Sequence, residues 1–344
     1  MNQVIQDKLP AEAEFKELGL PVFDLRAWKH AEGDEHSALA GQFIKMCQRH
    51  GFLYLIGHDI PDMLVSGLFE MSKRFFALEM EEKRGINFLQ TGGNSGYVPP
   101  NTEVTDKAAK ADLKETFAMG RRLPDLDPRL AIAPKLTTPN QWPERVPGFR
   151  PMIEGSLEAF CDVAREVLAV TSLGLGGPEH FFDDKVSRPI ATMRLNRYPA
   201  QDPDDSEAVG IGLHTDSECM SLLAQDDVGG LQVVSPGGVF RDATPLAGAL
   251  VLIVGEQLTR WTNGALKPTP HRVINKAGRE RYSANIFFTT DVDSLVGVID
   301  GILAPGETPR YPAETPGDYV SRRINDVYVH KPANDDAFSA LHCE

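Results

Sequence analysis

Apolar residues in the first half of the chain recur at steps of three and four. In the second half they fall in short runs separated by turn residues. Leu64, Leu68, Met71, Phe75 and Leu78 trace one stripe of a helix, with a start signal at Pro61-Asp62 and a stop at Gly85. Leu39, Phe43 and Met46 trace an earlier helix that ends near Gly51. Ile153, Leu157, Phe160, Ala164 and Val167 trace a long third one that ends near Gly174. Residues 86–150 are rich in Gly, Pro, Asn and Asp and show little period, which predicts an irregular region of the kind that forms lids and substrate loops. From residue 190 the runs Ala191–Tyr198, Met220–Gln225, Leu231–Ser235, Leu250–Val254 and Arg281–Thr289 read as strands. Asp227-Val228-Gly229-Gly230 and Pro236-Gly237-Gly238 punctuate them. Short strands with regular turns suggest a sandwich or a barrel. A proline-rich tail follows residue 305, with a helix predicted over Pro316–Asn325. There is no internal repeat. The organisation read from this is a helical N-terminal region over residues 1–185 that packs on the core and is not independent, a β core over 186–300, and a C-terminal segment over 301–344.

Composition narrows the class. The 344 residues are 42% hydrophobic and 24% charged, an ordinary globular balance. The formal charge of −14 argues against a nucleic-acid surface. No stretch approaches the roughly 20 apolar residues of a membrane span, and the first residues lack the basic-then-apolar pattern of a secretory signal. Cys47, Cys161, Cys219 and Cys343 are scattered without C-x-x-C spacing, so they read as free thiols in a reducing, cytoplasmic setting.

The chemistry concentrates in His214-Thr215-Asp216, His271 and Arg281-Tyr282-Ser283. Two histidines and a carboxylate can occupy one face of an octahedral metal and leave three positions for substrate and oxygen. An H-x-D pair on a strand places both side chains on one side of the sheet. Structural zinc prefers four closed ligands, usually with sulfur, so this open set favours Fe(II). Period-2 alternation puts Arg281, Ser283, Asn285 and Phe287 on one strand face, with Tyr282, Ala284 and Ile286 on the other. A guanidinium fork beside a hydroxyl is a receptor for a carboxylate. His30, His36, His50, His58, His180, His330 and His342 have no such context.

These motifs, in this order, resemble the Fe(II)/2-oxoglutarate-dependent dioxygenases of the isopenicillin N synthase-like type. The likeness extends through Leu20–Asp24, Cys47–Tyr54, Asp112–Phe117 and Arg194–Pro199, nearly the whole chain. The resemblance implies a mainly β fold with α-helices, in which a double-stranded β-helix (jelly roll) core is flanked by N-terminal helices. It implies Fe(II) on His214, Asp216 and His271, and 2-oxoglutarate on Arg281 and Ser283 with help from Asn196 and Tyr198. It further implies O2 as oxidant, with ascorbate as an accessory reductant. The expected reaction converts 2-oxoglutarate and O2 to succinate and CO2 while a small organic substrate is hydroxylated, desaturated or cyclised. In relatives that transfer halide a small residue replaces the carboxylate, so Asp216 argues for oxygenation.

Candidate substrate contacts are Tyr97, Phe117, Phe287 and Tyr328, together with Arg322 and Arg323 on the C-terminal segment that covers the cavity mouth in relatives, either of which could bind a substrate carboxylate. Three other readings stay open. One is an ethylene-forming type of enzyme, to which residues 212–216, 224–231 and Glu103-Val104-Thr105 are similar. The second is an Fe(II) oxidase that needs no 2-oxoglutarate, and the third a non-catalytic ligand-binding jelly roll. The prime substrate and the oligomeric state are not legible.

Overall fold

The computed structural model describes residues 20–88, 95–106, 111–132, 138–201, 209–235 and 237–329. Three helices form where the apolar stripes predict them. After the short α1 (Leu25–His30), α2 spans Gly33–His50 and α3 spans Asp62–Phe76. Helix α2 ends at Gly51, whose φ of 79° lies in the left-handed region that only glycine enters freely. Helix α3 stops at Ala77, earlier than the stripe suggests. The chain turns and restarts as α4 (Met80–Arg84), and it is this short helix that Gly85 caps. The long α5 covers Phe149–Gly174. Among the described residues, no helix is long and apolar enough to cross a membrane.

Two sheets form the core. The larger has eight strands in the order β1-β2-β10-β7-β12-β5-β4-β3. Its members are β1 (Val22–Asp24), β2 (Phe52–Ile56), β3 (Gly96–Val98), β4 (Glu115–Gly120), β5 (Pro189–Tyr198), β7 (Met220–Gln225), β10 (Leu250–Val254) and β12 (Arg281–Asp291). The smaller has the order β6-β11-β8-β9, built from β6 (Ile211–His214), β8 (Leu231–Val234), β9 (Phe240–Asp242) and β11 (His271–Val273). Helices α2, α3 and α5 cover one face of the large sheet, through Phe43, Leu68, Phe75, Phe160 and Val167 against Leu195, Leu222, Ala284 and Ile286. The other face meets the small sheet. There Tyr54, Tyr198, Leu223 and Ile253 close on Leu231, Val233 and Val273. This is a jelly roll with its cavity between the sheets.

The N-terminal residues are less purely helical than their periodicity suggests. They supply β1 to β4, half of the large sheet. Strand β2, FLYLI, is buried at every position and follows α2 directly, so its apolar run sits in a stretch whose period is helical. Strands β3 and β4 lie inside the stretch read as irregular, where they pair with each other and, through β4, with β5.

Candidate active site

Antiparallel pairing of β6 with β11 sets His214 opposite His271, with ring centroids 4.2 Å apart. His214 Nδ1 lies 2.8 Å from the Gly212 carbonyl, and His271 Nδ1 lies 3.0 Å from the Thr269 carbonyl. A carbonyl only accepts, so each Nδ1 carries the proton and each Nε2 keeps its lone pair. Both Nε2 atoms face Asp216 Oδ1, at 3.6 and 3.8 Å. One ligand atom from each of the three residues lies within 4.8 Å of the others. The remaining oxygen, Asp216 Oδ2, accepts a hydrogen bond from Ser221 Oγ. Burial, then the facing His271 ring, lowers the pKa of His214 and favours the neutral imidazole that a metal ligand needs. Two imidazoles and a carboxylate, each oriented by a second partner, fit a divalent iron ion.

Asp216 does not reach this point as the sequence suggests. Strand β6 ends at His214, where its pairing with β11 ends. Asp216 therefore sits beyond the strand, in the turn toward β7. It is held there by its carbonyl, which accepts from the Glu256 N–H at 2.9 Å, and by the bond from Ser221.

On β12, Arg281, Ser283, Asn285 and Phe287 all line the cavity, while Tyr282, Ala284, Ile286 and Phe288 face the helices. Arg281 is fully buried. Its Nη2 donates to Gln225 Oε1 at 3.3 Å, and its guanidinium lies 4.7 Å from the Tyr198 ring centroid. Among the described residues, its Nε and Nη1 have no hydrogen-bond partner. Two orphaned donors on a buried cation carry a desolvation penalty that a carboxylate would offset. The Ser283 hydroxyl lies beside it on the same wall. Such a donor set can receive a carboxylate. Asn196 is more committed: its Oδ1 accepts from Thr116, and its Nδ2 donates to Asn285 and, at 3.4 Å, to Ser283.

The rest of the cavity wall departs from the sequence reading. Lys114 and Arg194 line it, and both pair with Glu103; Asp112 also lies 3.6 Å from the Lys114 ammonium. Arg194 stacks on Phe287, 5.8 Å from the ring centroid. Period 2 offered a signal for Arg194, which shares a β5 face with Asn196 and Tyr198. Lys114 and Glu103 fall in the stretch read as irregular, where only the family likeness of Asp112–Phe117 and Glu103-Val104-Thr105 marked them.

Tyr97 and Phe117 are not on the cavity wall. Both are fully buried in an aromatic cluster with Phe75 and Phe149, and Tyr97 donates to Glu115. Strands β3 and β4 turn these rings toward the helices, so they belong to the core. Arg322 is exposed and paired with Glu314. The side chain of Tyr328 lies outside the described residues.

Residues 189–290 match the model of the 2OG-Fe(II) oxygenase superfamily, and residues 20–145 match that of the N-terminal region described as "non-haem dioxygenase in morphine synthesis". With the site above, this defines a non-haem iron oxygenase on a jelly roll. The chain belongs to the 2OG-Fe(II) oxygenase superfamily and is an Fe(II)- and 2-oxoglutarate-dependent dioxygenase. It is 37% identical to the 2-oxoglutarate-Fe(II) type oxidoreductase hxnY of Emericella nidulans, over 90% of each chain. It is 31% identical to homoarginine-6-hydroxylase 2-ODD-C23.2 of Arabidopsis thaliana, over 83% of this chain and 81% of that one. Among solved structures it is similar to a full-length Neurospora crassa protein in complex with alpha-KG and thymine. That likeness has a TM-score of 0.79 at 29% identity and covers 90% of this chain and 97% of the fungal one.

Proposed function

We propose that His214, Asp216 and His271 hold the iron, that Arg281 and Ser283 hold the distal carboxylate of 2-oxoglutarate, and that the prime substrate is a small polar molecule seated beside Arg194, Asn285 and Phe287. The observation that carries this reading is Arg281, fully buried with two donors unpartnered on the wall that the metal ligands share. Bound iron supplies oxidation of an unactivated C–H bond, driven by decarboxylation of 2-oxoglutarate. The chain's own residues do the rest. The backbone carbonyls of Gly212 and Thr269 fix the two imidazoles, and Ser221 fixes the carboxylate. Arg281 and Ser283 draw the co-substrate into one orientation. Leu223, Leu231, Ile253 and Val273 line the same cavity and keep water out.

Tyr198 faces the Arg281 guanidinium and shapes the co-substrate end, whereas Asn196 acts through Ser283 and Asn285. A polar substrate suits a wall that presents a guanidinium, an ammonium and an amide around one aromatic face. Thymine in the Neurospora crassa complex and homoarginine in the plant hydroxylases' name are molecules of that kind. The buried free thiols Cys47, Cys161 and Cys219 favour a reducing, cytoplasmic setting. An Fe(II) oxidase without 2-oxoglutarate would leave Arg281 without an anion. Calorimetric titration of Mn(II)-loaded protein with 2-oxoglutarate tests the assignment. Binding in the wild type that weakens at least tenfold in Arg281→Ala is expected, and equal binding by the two proteins would contradict it.

A further inference from the structure

One carboxylate ties the segment that carries the metal ligands to the C-terminal helix. Glu256 opens the short helix α6 (Glu256–Trp261), and its backbone N–H donates to the Asp216 carbonyl at 2.9 Å. Its Oε1 accepts from the hydroxyl of Thr215, the residue between His214 and Asp216, at 2.8 Å. The same carboxylate accepts from Arg323 Nη2 at 2.8 Å and from the Tyr319 hydroxyl at 2.5 Å. Tyr319 and Arg323 lie one turn apart on α7 (Pro316–Val329), so one face of that helix grips Glu256. Tyr319 is buried, and burial, then its bond to Glu256, raises its pKa, so it stays protonated as the donor.

Glu256 is not one of the three residues that converge on the metal position. It nevertheless holds the intervening segment at two points, the Thr215 side chain and the Asp216 carbonyl. We propose that Glu256 is a positioning residue that links the seating of α7 to the placement of His214 and Asp216. This rests on the metal assignment above. Partners behind a metal ligand fix its direction, and their loss costs roughly 10–100-fold in metal affinity. Linkage is reciprocal, so an ion that favours the placed segment also favours the seated helix.

The test uses Mn(II) alone as the probe, with its Kd and the hydrogen exchange of residues 316–329 measured with and without the ion. In the wild type, Mn(II) should slow exchange in α7. In Thr215→Val and in Glu256→Gln, the Mn(II) Kd should rise about tenfold, and saturating Mn(II) should no longer slow exchange in α7. Tyr319→Phe, altered on the helix side only, should also weaken Mn(II) binding. Variants with lowered melting temperature but wild-type Kd and wild-type metal-dependent protection would show a merely structural contact and overturn the inference. A wild type that binds no Mn(II) would overturn the metal assignment itself, and this inference with it.

Discussion

Arg281 shows how a single residue can report a ligand. A guanidinium cannot lose its proton in a protein, so burying it commits the chain to finding it an anion. Gln225 supplies one neutral acceptor, and Tyr198 supplies a ring face. Neither neutralises the charge. Replacing Arg281 with Ala removes a charged hydrogen bond worth on the order of 1.5–3 kcal/mol. The KM for 2-oxoglutarate should therefore rise at least tenfold, measured as succinate formed against co-substrate concentration. An unchanged KM would place the co-substrate elsewhere. Phe117 makes the opposite case. It packs against Phe75, Phe149 and Trp142 with no exposure. Phe117→Ala should lower unfolding free energy by about 3–5 kcal/mol in denaturant melts. The Mn(II) affinity of the folded fraction should not change.

At the scale of elements, legibility in the second half of the chain followed short apolar runs between turn residues. Strands β7 and β10 begin and end where the sequence predicts, and β5 and β12 come within two residues of it. The cavity face of β12 could be read because period 2 leaves no choice of side. Strand β2 is as apolar as β10 but follows α2 directly, in a half of the chain whose period is helical, while β3, β9 and β11 have three residues each, too few to show a period. Asp216 was assigned to a strand because H-x-D suits one, whereas contacts from distant Glu256 place it in a turn. Glu103, Lys114 and Arg194 come together only because β4 pairs with β5, a long-range fact that no local pattern states. Their ion network has a consequence for acid stability. Burial alone would raise the Glu103 carboxyl, but Arg194 and Lys114 outweigh it and hold the group well below the usual carboxylate range. A depressed carboxylate stabilises the fold above its unfolded pKa of about 4.3 and loses that contribution as pH falls below it. Glu103→Gln should destabilise the protein by about 3 kcal/mol at neutral pH, because the buried Lys114 ammonium loses its closest partner. The gap from the wild type should narrow as melts are taken from about pH 5 to about pH 3. A gap that stays constant over that range would contradict the network.

At the scale of the whole molecule, the division of labour is between a rigid core and a variable wall. The two sheets carry His214, His271 and Arg281, with Asp216 just beyond β6, and helices α2, α3 and α5 brace the outer face of the large sheet. The N-terminal residues contribute β1 to β4 to the same sheet as β12, the strand that carries Arg281. On the proposed function, substrate choice falls to Arg194, Asn285 and Phe287, which line the cavity wall.

The most direct test of the central claim is a succinate assay. Purified protein is incubated with Fe(II), 2-oxoglutarate and O2, alone and with a panel of small polar substrates, and succinate is quantified. The wild type should form succinate only when all three are present, faster with a matching substrate. His214→Ala and His271→Ala, folded as judged by their melts, should form none. Succinate formed at the wild-type rate by either variant, or by the wild type without Fe(II), would contradict the account.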